Sequence, residues 1–279
     1  MQTKASIYEN LGQQVTLQTI IEQSYDIVDL LNKATIVQSE NKSKSPVHGV
    51  QHVRNVLLLA NFLGLQNNIS ENDLAILREA AIYHDRCHKK AGHKEHAKEG
   101  ADFYLHEAES EFDFERKEEV AFLIEAHEYK SVEQIEELIN NRFTNITEER
   151  RKELVFLALI LQDADRLDML RYDIEKGNWQ RFDPSRLNNP ENARFISAVI
   201  ELNTRQAIAT GFLKEEDFAI EHADKKNMDS IETDLLKLYF EKGTTYSNMS
   251  SEKEGLRSKR KETRFNDGEY STEDEYQDV

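Results

Sequence analysis

The sequence predicts an all-α protein. Three observations carry that prediction. Apolar residues recur at steps of three and four, as along one face of a helix. Only three prolines and ten glycines punctuate 279 residues, too few turn formers for a sheet protein of this length. No segment reads as an alternating strand.

The elements follow in order. After a short leader, residues 1–15, a first helix is predicted from Thr16 to Gln38 with Leu17, Ile20, Ile21, Ile27, Leu30 and Leu31 as its apolar face. The polar loop SENKSKSP ends on Pro46, which suits the first turn of the next helix and would set His48 and His52 one above the other. Ser70 opens S-E-N-D, where the serine caps and Asp73 favours the N-terminus of a helix running through REAAIYHD. Lys89 to Gly92 reads as a break, and His93 and His96 begin another helix ending near Glu107. Further helices are predicted over Asp113–Tyr129, Ser131–Asn140 and Thr147–Tyr172. A loop from Gly177 to Pro190 holds the only tryptophan, Trp179, and two or three helices follow through Asp229 to Glu241.

From Gly243 the composition turns to Ser, Glu, Lys, Arg and Asp, which cannot bury enough apolar surface to fold. The chain therefore divides into the leader, one helical domain over 16–242 and a disordered charged tail over 243–279. Within the tail a basic cluster, RSKRKETR, precedes the acidic end EYSTEDEYQDV. It reads as a solubilising extension, or as an export signal, since it resembles the glutamate-rich C-termini of some bacterial secreted effectors.

The formal charge of −17 repels nucleic acid and anionic membrane, which disfavours extended contact with a phosphate backbone. Cys87, the single cysteine, rules out an intramolecular disulfide. No run is apolar enough to span a bilayer, and the first residues lack a signal-peptide stretch. The expected compartment is a reducing cytoplasm; oligomeric state is not legible.

Four apolar stripes end on ionisable residues that suit a metal. They are His52-Val56-Leu59-Leu63, Leu74-Leu77-Ala81-His84 with Asp85 beside it, Val120-Ile124-His127, and Leu154-Ala158-Leu161-Asp165. Such groups point into a core, where an unpaired charge costs several kcal/mol or more. One shared divalent ion makes them tolerable together. Neutral imidazole and carboxylate suit Mn, Mg, Zn, Fe, Co or Ni, and no thiolate pair suggests a structural zinc. Taken singly each residue has a plainer reading: His52 as a satisfied core histidine, Asp165 with Arg166 or Arg171 as an ion-paired helix face, Cys87 as a small buried side chain. Their coincidence is what the plainer readings do not explain.

H-V-R-N-V at His52, Y-H-D at His84-Asp85 and D-A-D-R-L-D around Asp165 resemble the HD-domain superfamily of metal-dependent phosphohydrolases over roughly Pro46 to Tyr172. By position the resemblance implies His52, His84, Asp85 and Asp165 as ligands of a first metal. It implies His96 and His127 as ligands of a second, so that one ion or two are bound. Arg86 or Lys89 would bind phosphate, and Arg166 and Asp168 would orient ligands from behind. His88 would line the pocket, His93 and His106 would lie on the surface, and His222 falls outside the matched region.

The segments H-G-V-Q-H-V, H-D-R and L-Q-D-A-D-R-L-D-M-L-R also resemble the phosphodiesterase domain of SidE-type bacterial effectors. That resemblance implies a histidine pair acting on a phosphoribosyl linkage, with His48 as nucleophile and His127 as general acid. This chain is much shorter than those effectors. No G-Y-P follows the histidines, which disfavours a cyclic dinucleotide phosphodiesterase of the HD-GYP type. Arg86-Cys87-His88 lacks the acidic pair of the stringent-response pyrophosphohydrolases.

The expectation is a hydrolase acting on a small phosphorylated substrate or a modified protein, with His48, His127 and Arg86 as catalytic candidates. Three alternatives stand beside it: a SidE-like phosphodiesterase, a di-iron oxygenase built on the same six-ligand order, and a nucleotide-binding module without turnover.

Overall fold

The computed structural model describes residues 15–40, 48–88, 95–175 and 186–209. The break at Lys89–Gly92, His93, Trp179, His222, the helices through Glu241, the tail and nearly all of the leader lie outside the described residues. Among the described residues the structure is all-α, with no strand. In chain order α1 is Leu17–Glu22, α2 Val28–Glu40, α3 Val50–Gln66, α4 Glu71–Tyr83, α5 His96–His106, α6 Phe114–Ala126, α7 Val132–Arg142, α8 Glu148–Glu175 and α9 Ile196–Ala209. Short 3-10 turns at Tyr25–Ile27 and Pro190–Phe195 precede α2 and α9.

Side chains cap the helix starts. The predicted cap at Ser70 forms, its Oγ accepting from Asp73 N at 3.1 Å, and the threonine opening the long helix, Thr147, accepts from Arg150 N at 3.4 Å. Asp113 Oδ1 accepts likewise from Arg116 N at 3.0 Å and Ser131 Oγ from Gln134 N at 3.4 Å. Each satisfies a backbone donor that the first turn leaves open.

Two predicted elements differ. The helix expected over Thr16–Gln38 is broken after Glu22, because Asn61 of α3 donates to Ser24 Oγ at 3.1 Å and to Gln23 O at 3.4 Å. Ile27 still turns inward beyond the break, while Leu30 is only half-buried. The next helix starts at Val50 with Gly49 as its extended N-cap, so His48 stands ahead of the helix instead of one turn along it.

α3 forms the centre. All thirteen residues from His52 to Gly64 are buried, as expected of a helix enclosed on every side. It packs against α2, α4 and α8, while α5 lies along α6, and α6 along α4. The approach of α4 to α3 is close: a Cβ on Gly64 would fall 2.8 Å from both Ile69 Cδ1 and Leu74 Cδ1. The 28 residues of α8 span about 42 Å and touch α3, α4, α6, α7 and α9. Arg150 near its start ties three elements together, bonding Glu119 at 2.7 Å and Asp73 at 2.5 Å. This frame brings the first turns of α3 and α5, the last turns of α4 and α6, and the middle of α8 to one place.

Candidate metal centre

His84 and His127 are held by the same local device. Each is the C-cap of its helix, and each Nδ1–H donates to a carbonyl of its own last turn, Ala81 O at 2.9 Å and Ile124 O at 2.5 Å. Those carbonyls would otherwise lack a helical partner. His52 is fixed from behind: its Nδ1–H donates to Asp168 Oδ2 at 2.7 Å. All three tautomers are thereby set, and all three rings turn an Nε2 lone pair inward.

Those lone pairs meet carboxylates. His52 Nε2 lies 3.1 Å from His84 Nε2, 3.2 Å from Asp85 Oδ2 and 3.2 Å from Asp165 Oδ1, and His84 Nε2 lies 3.7 Å from Asp85 Oδ2. Two lone-pair nitrogens at 3.1 Å repel unless a proton or a metal ion stands between them. Donors at about 2.1 Å from a common ion would sit about 3.0 Å apart in neighbouring octahedral positions and about 3.4 Å apart in a tetrahedron. The observed spacings match both. The donor set, two imidazoles and two carboxylates, fits a divalent ion.

Asp85 faces two ways. Its Oδ2 belongs to the group just described, while its Oδ1 lies 3.3 Å from His96 Nε2 and 4.0 Å from His127 Nε2. The structure therefore gathers the predicted residues into two groups that share one carboxylate: His52, His84 and Asp165 on one side, His96 and His127 on the other. His48 joins at the rim, with Nδ1 2.8 Å from Asp85 Oδ2 and its ring stacked on His88 at 3.8 Å.

The electrostatics agree with the geometry. Burial pushes the Asp85 carboxyl up, but His84 and the bonds from His48, His52 and His96 outweigh it and hold it well below the usual carboxylate range. Asp165 is likewise lowered against its burial, chiefly by His52. Burial also lowers His52, yet bonds to Asp165, Asp168 and Asp85 raise it well above an ordinary histidine. Burial lowers His84, and lowers His127 to about 3 with help from His84 and His96. Without an ion, a proton on His52 supplies the positive charge that these carboxylates require.

The other candidates lie elsewhere. The Arg86 guanidinium reaches Glu40 Oε2 at 3.4 Å and lies over the Phe103 ring. Arg166 donates to Arg186 O at 2.8 Å and to Gln162 Oε1 at 3.2 Å, on the flank of α8 and not behind a ligand. Lys89 lies outside the described residues. Cys87 is buried and His106 is exposed.

Two sets of residues here were missed by the sequence reading. Glu128 Oε1 lies 3.2 Å from His96 Nε2 and 3.8 Å from His127 Nε2. A signal for it existed, since His127-Glu128 ends α6 as His84-Asp85 ends α4: an apolar stripe, a histidine, then an acid. Behind Asp168 stands a buried amide network, in which Asn55 Nδ2 donates to Asp168 Oδ1 at 2.6 Å and Gln206 Nε2 donates to Asn55 Oδ1 at 2.8 Å. Asn203 Oδ1 accepts from Asn55 Nδ2 at 3.1 Å. Asn55 stands one turn from His52, but no local pattern announces Asn203 or Gln206.

Comparison with families of known proteins gives one match: residues 49–170 fit the family model described as HD domain. The match takes in His52, His84, Asp85, His96, His127 and Asp165, begins one residue after His48 and ends before α9. Neither the curated proteins nor the solved structures return a match to the chain.

Proposed function

Residues 49–170 are an HD domain, the fold of a superfamily of metal-dependent hydrolases, and from that premise we propose that this protein hydrolyses a small phosphate ester, of nucleotide or related type. One observation carries the reading. His52, His84 and Asp165 aim their donor atoms at a common point, and Asp85 gives one oxygen to that group and the other to His96 and His127. In this reading His52, His84, Asp85 and Asp165 hold a first divalent ion, and Asp85, His96 and His127 a second. When bound, such ions polarise a phosphoryl oxygen and lower the pKa of a water at neutral pH.

The chain's own residues supply the rest. Asp168 orients His52 and makes it a better donor. Three side chains leave the centre open to a ligand: Asp165, Glu128 and His48 have 28%, 44% and 21% of their side-chain surface exposed, against 1–3% for His52, His96 and Asp85. His48, hydrogen-bonded to Asp85 at this opening, is placed to pass a proton to or from a substrate oxygen. The test is turnover of a panel of nucleotides, sugar phosphates and model phosphodiesters, with and without chelator. Turnover abolished by chelator and restored by Mn supports the reading; turnover unaffected by chelator contradicts it.

The position of His48 also favours a second reading, SidE-like cleavage of a phosphoribosyl or ADP-ribosyl linkage on a modified protein. There His48→Ala would abolish turnover while chelator would not. Two equivalents of iron and uptake of oxygen would instead mark a di-iron oxygenase, and tight nucleotide binding without product a binding module. Among the described residues no helix is long and apolar enough to cross a membrane.

A further inference from the structure

We propose that Glu128 is the fourth donor of the second cation site, completing the set Asp85, His96 and His127. The inference rests on the reading of His96 and His127 as ligands of a second ion. It comes from the carboxylate that stands opposite His96 and His127 and from the make-up of the first group.

The first consideration is where the carboxylate points. A glutamate two residues past a helix end, with 44% of its side chain exposed, can extend into water at little cost. Glu128 instead brings Oε1 within 3.2 Å of His96 Nε2 and 3.8 Å of His127 Nε2, two imidazoles that are 1% and 2% exposed. His127 presents a lone pair there, because its proton is committed to Ile124 O. An acceptor oxygen and an acceptor nitrogen facing one another require a proton or a metal ion between them, and the nearby Asp85 carboxylate makes the metal ion the fitting choice.

The second consideration is the symmetry of the donors. The first group consists of two histidines, the shared Asp85 and a partly exposed carboxylate, Asp165. With Glu128 the second group becomes two histidines, the shared Asp85 and a partly exposed carboxylate. Its donor spacings, 3.2, 3.3, 3.8 and 4.0 Å, are wider than the 3.1 to 3.7 Å of the first, so the second ion is the more weakly held.

The third is charge. Two divalent ions bring four positive charges, of which Asp85 and Asp165 offset two. Glu128 offsets a third, leaving a single positive charge that one hydroxide or one phosphate oxygen neutralises. In a centre this buried the uncompensated alternative is costly.

The experiment is titration of the metal-free full-length protein with Mn, read by calorimetry and by the spin-coupled electron paramagnetic resonance signal of two neighbouring Mn ions. Wild type, Glu128→Gln, Glu128→Asp and Asp165→Ala are compared, with thermal melts as the folding control. The expected result is two equivalents in wild type and at least tenfold weaker binding of the weaker ion in Glu128→Gln. The coupled signal is then lost and the tighter ion unchanged, while Glu128→Asp recovers part of the affinity. Two equivalents with unchanged affinities in both Glu128 variants would overturn the inference alone. One equivalent in saturated wild type would overturn the two-ion reading and the inference with it.

Discussion

His52 Nδ1 stands 2.7 Å from Asp168 Oδ2, so an imidazole in the first turn of α3 is aimed by a carboxylate 116 residues further along the chain. Asp168 is aimed in turn by Asn55, and Asn55 by Gln206 of α9. The three acids of D-A-D-R-L-D thus divide their labour. Asp163 faces the segment before α9, Asp165 faces the cluster, and Asp168 supports His52 from behind.

Asp168→Asn keeps the shape of the side chain but removes the charge that orders His52. Partners of this kind are worth about 10- to 100-fold in metal affinity. The variant is expected to fold normally and to lose a first ion about that much more readily to a competing chelator. An unchanged competition curve would remove Asp168 from the site.

Gln206→Leu tests whether α9, which lies beyond the matched HD segment, belongs to the same support. It deletes the donor to Asn55 Oδ1 inside a buried network. The expected cost is about 1–2 kcal/mol in urea denaturation, with a smaller loss of metal affinity than in Asp168→Asn. Wild-type stability and affinity together would show that α9 merely covers the bundle.

Asp163→Ala separates the first acid from the other two. Its carboxylate accepts from Asn188 N at 2.6 Å, Asn189 N at 3.0 Å and Asn192 Nδ2 at 2.8 Å, pinning the turn before α9. Removing it is expected to cost about 2 kcal/mol of stability and leave metal content per folded chain unchanged. Loss of the ion in this variant would contradict the assignment.

The metal-free protein is expected to weaken in mild acid through His127. Its folded pKa is depressed to about 3, whereas the unfolded chain binds that proton near the ordinary histidine value. Between those values the unfolded state carries the extra proton, so stability is present above about pH 6.5 and falls as pH drops toward 3. From pH 7 to pH 5 the loss from this one group is about 2 kcal/mol. Denaturation at the two pH values should show a clearly shallower fall in His127→Gln; equal falls would mean that His127 is protonated in the folded state.

The bundle was legible in the sequence because its helices carry apolar faces and side-chain caps, Ser70, Asp113 and Ser131 among them. Five of the six central residues were legible because each stands on or beside an apolar helix face, and His96 through the resemblance that pairs it with His127. The break after Glu22 was not, because the apolar period runs straight through it and only Asn61, from another helix, holds it open. The start of α3 was misplaced for a related reason: a proline suited to a first turn outweighed Gly49, which is the actual cap. Asn203 and Gln206 escaped because their partner is about 150 residues away. Glu128 repeats at the end of α6 the histidine-acid pair that ends α4, but it stands beyond the helix with 44% of its side chain exposed, where an acid is ordinarily a solvated surface group.

The most direct test of the account is the elemental metal content of the full-length protein purified without chelator, beside Asp165→Ala prepared in parallel. The account predicts one or two equivalents of a divalent metal in wild type and clear depletion in a variant that remains helical and folded. Equal metal content in the two proteins, or none in either after reconstitution with Mn, Fe or Zn, would contradict it.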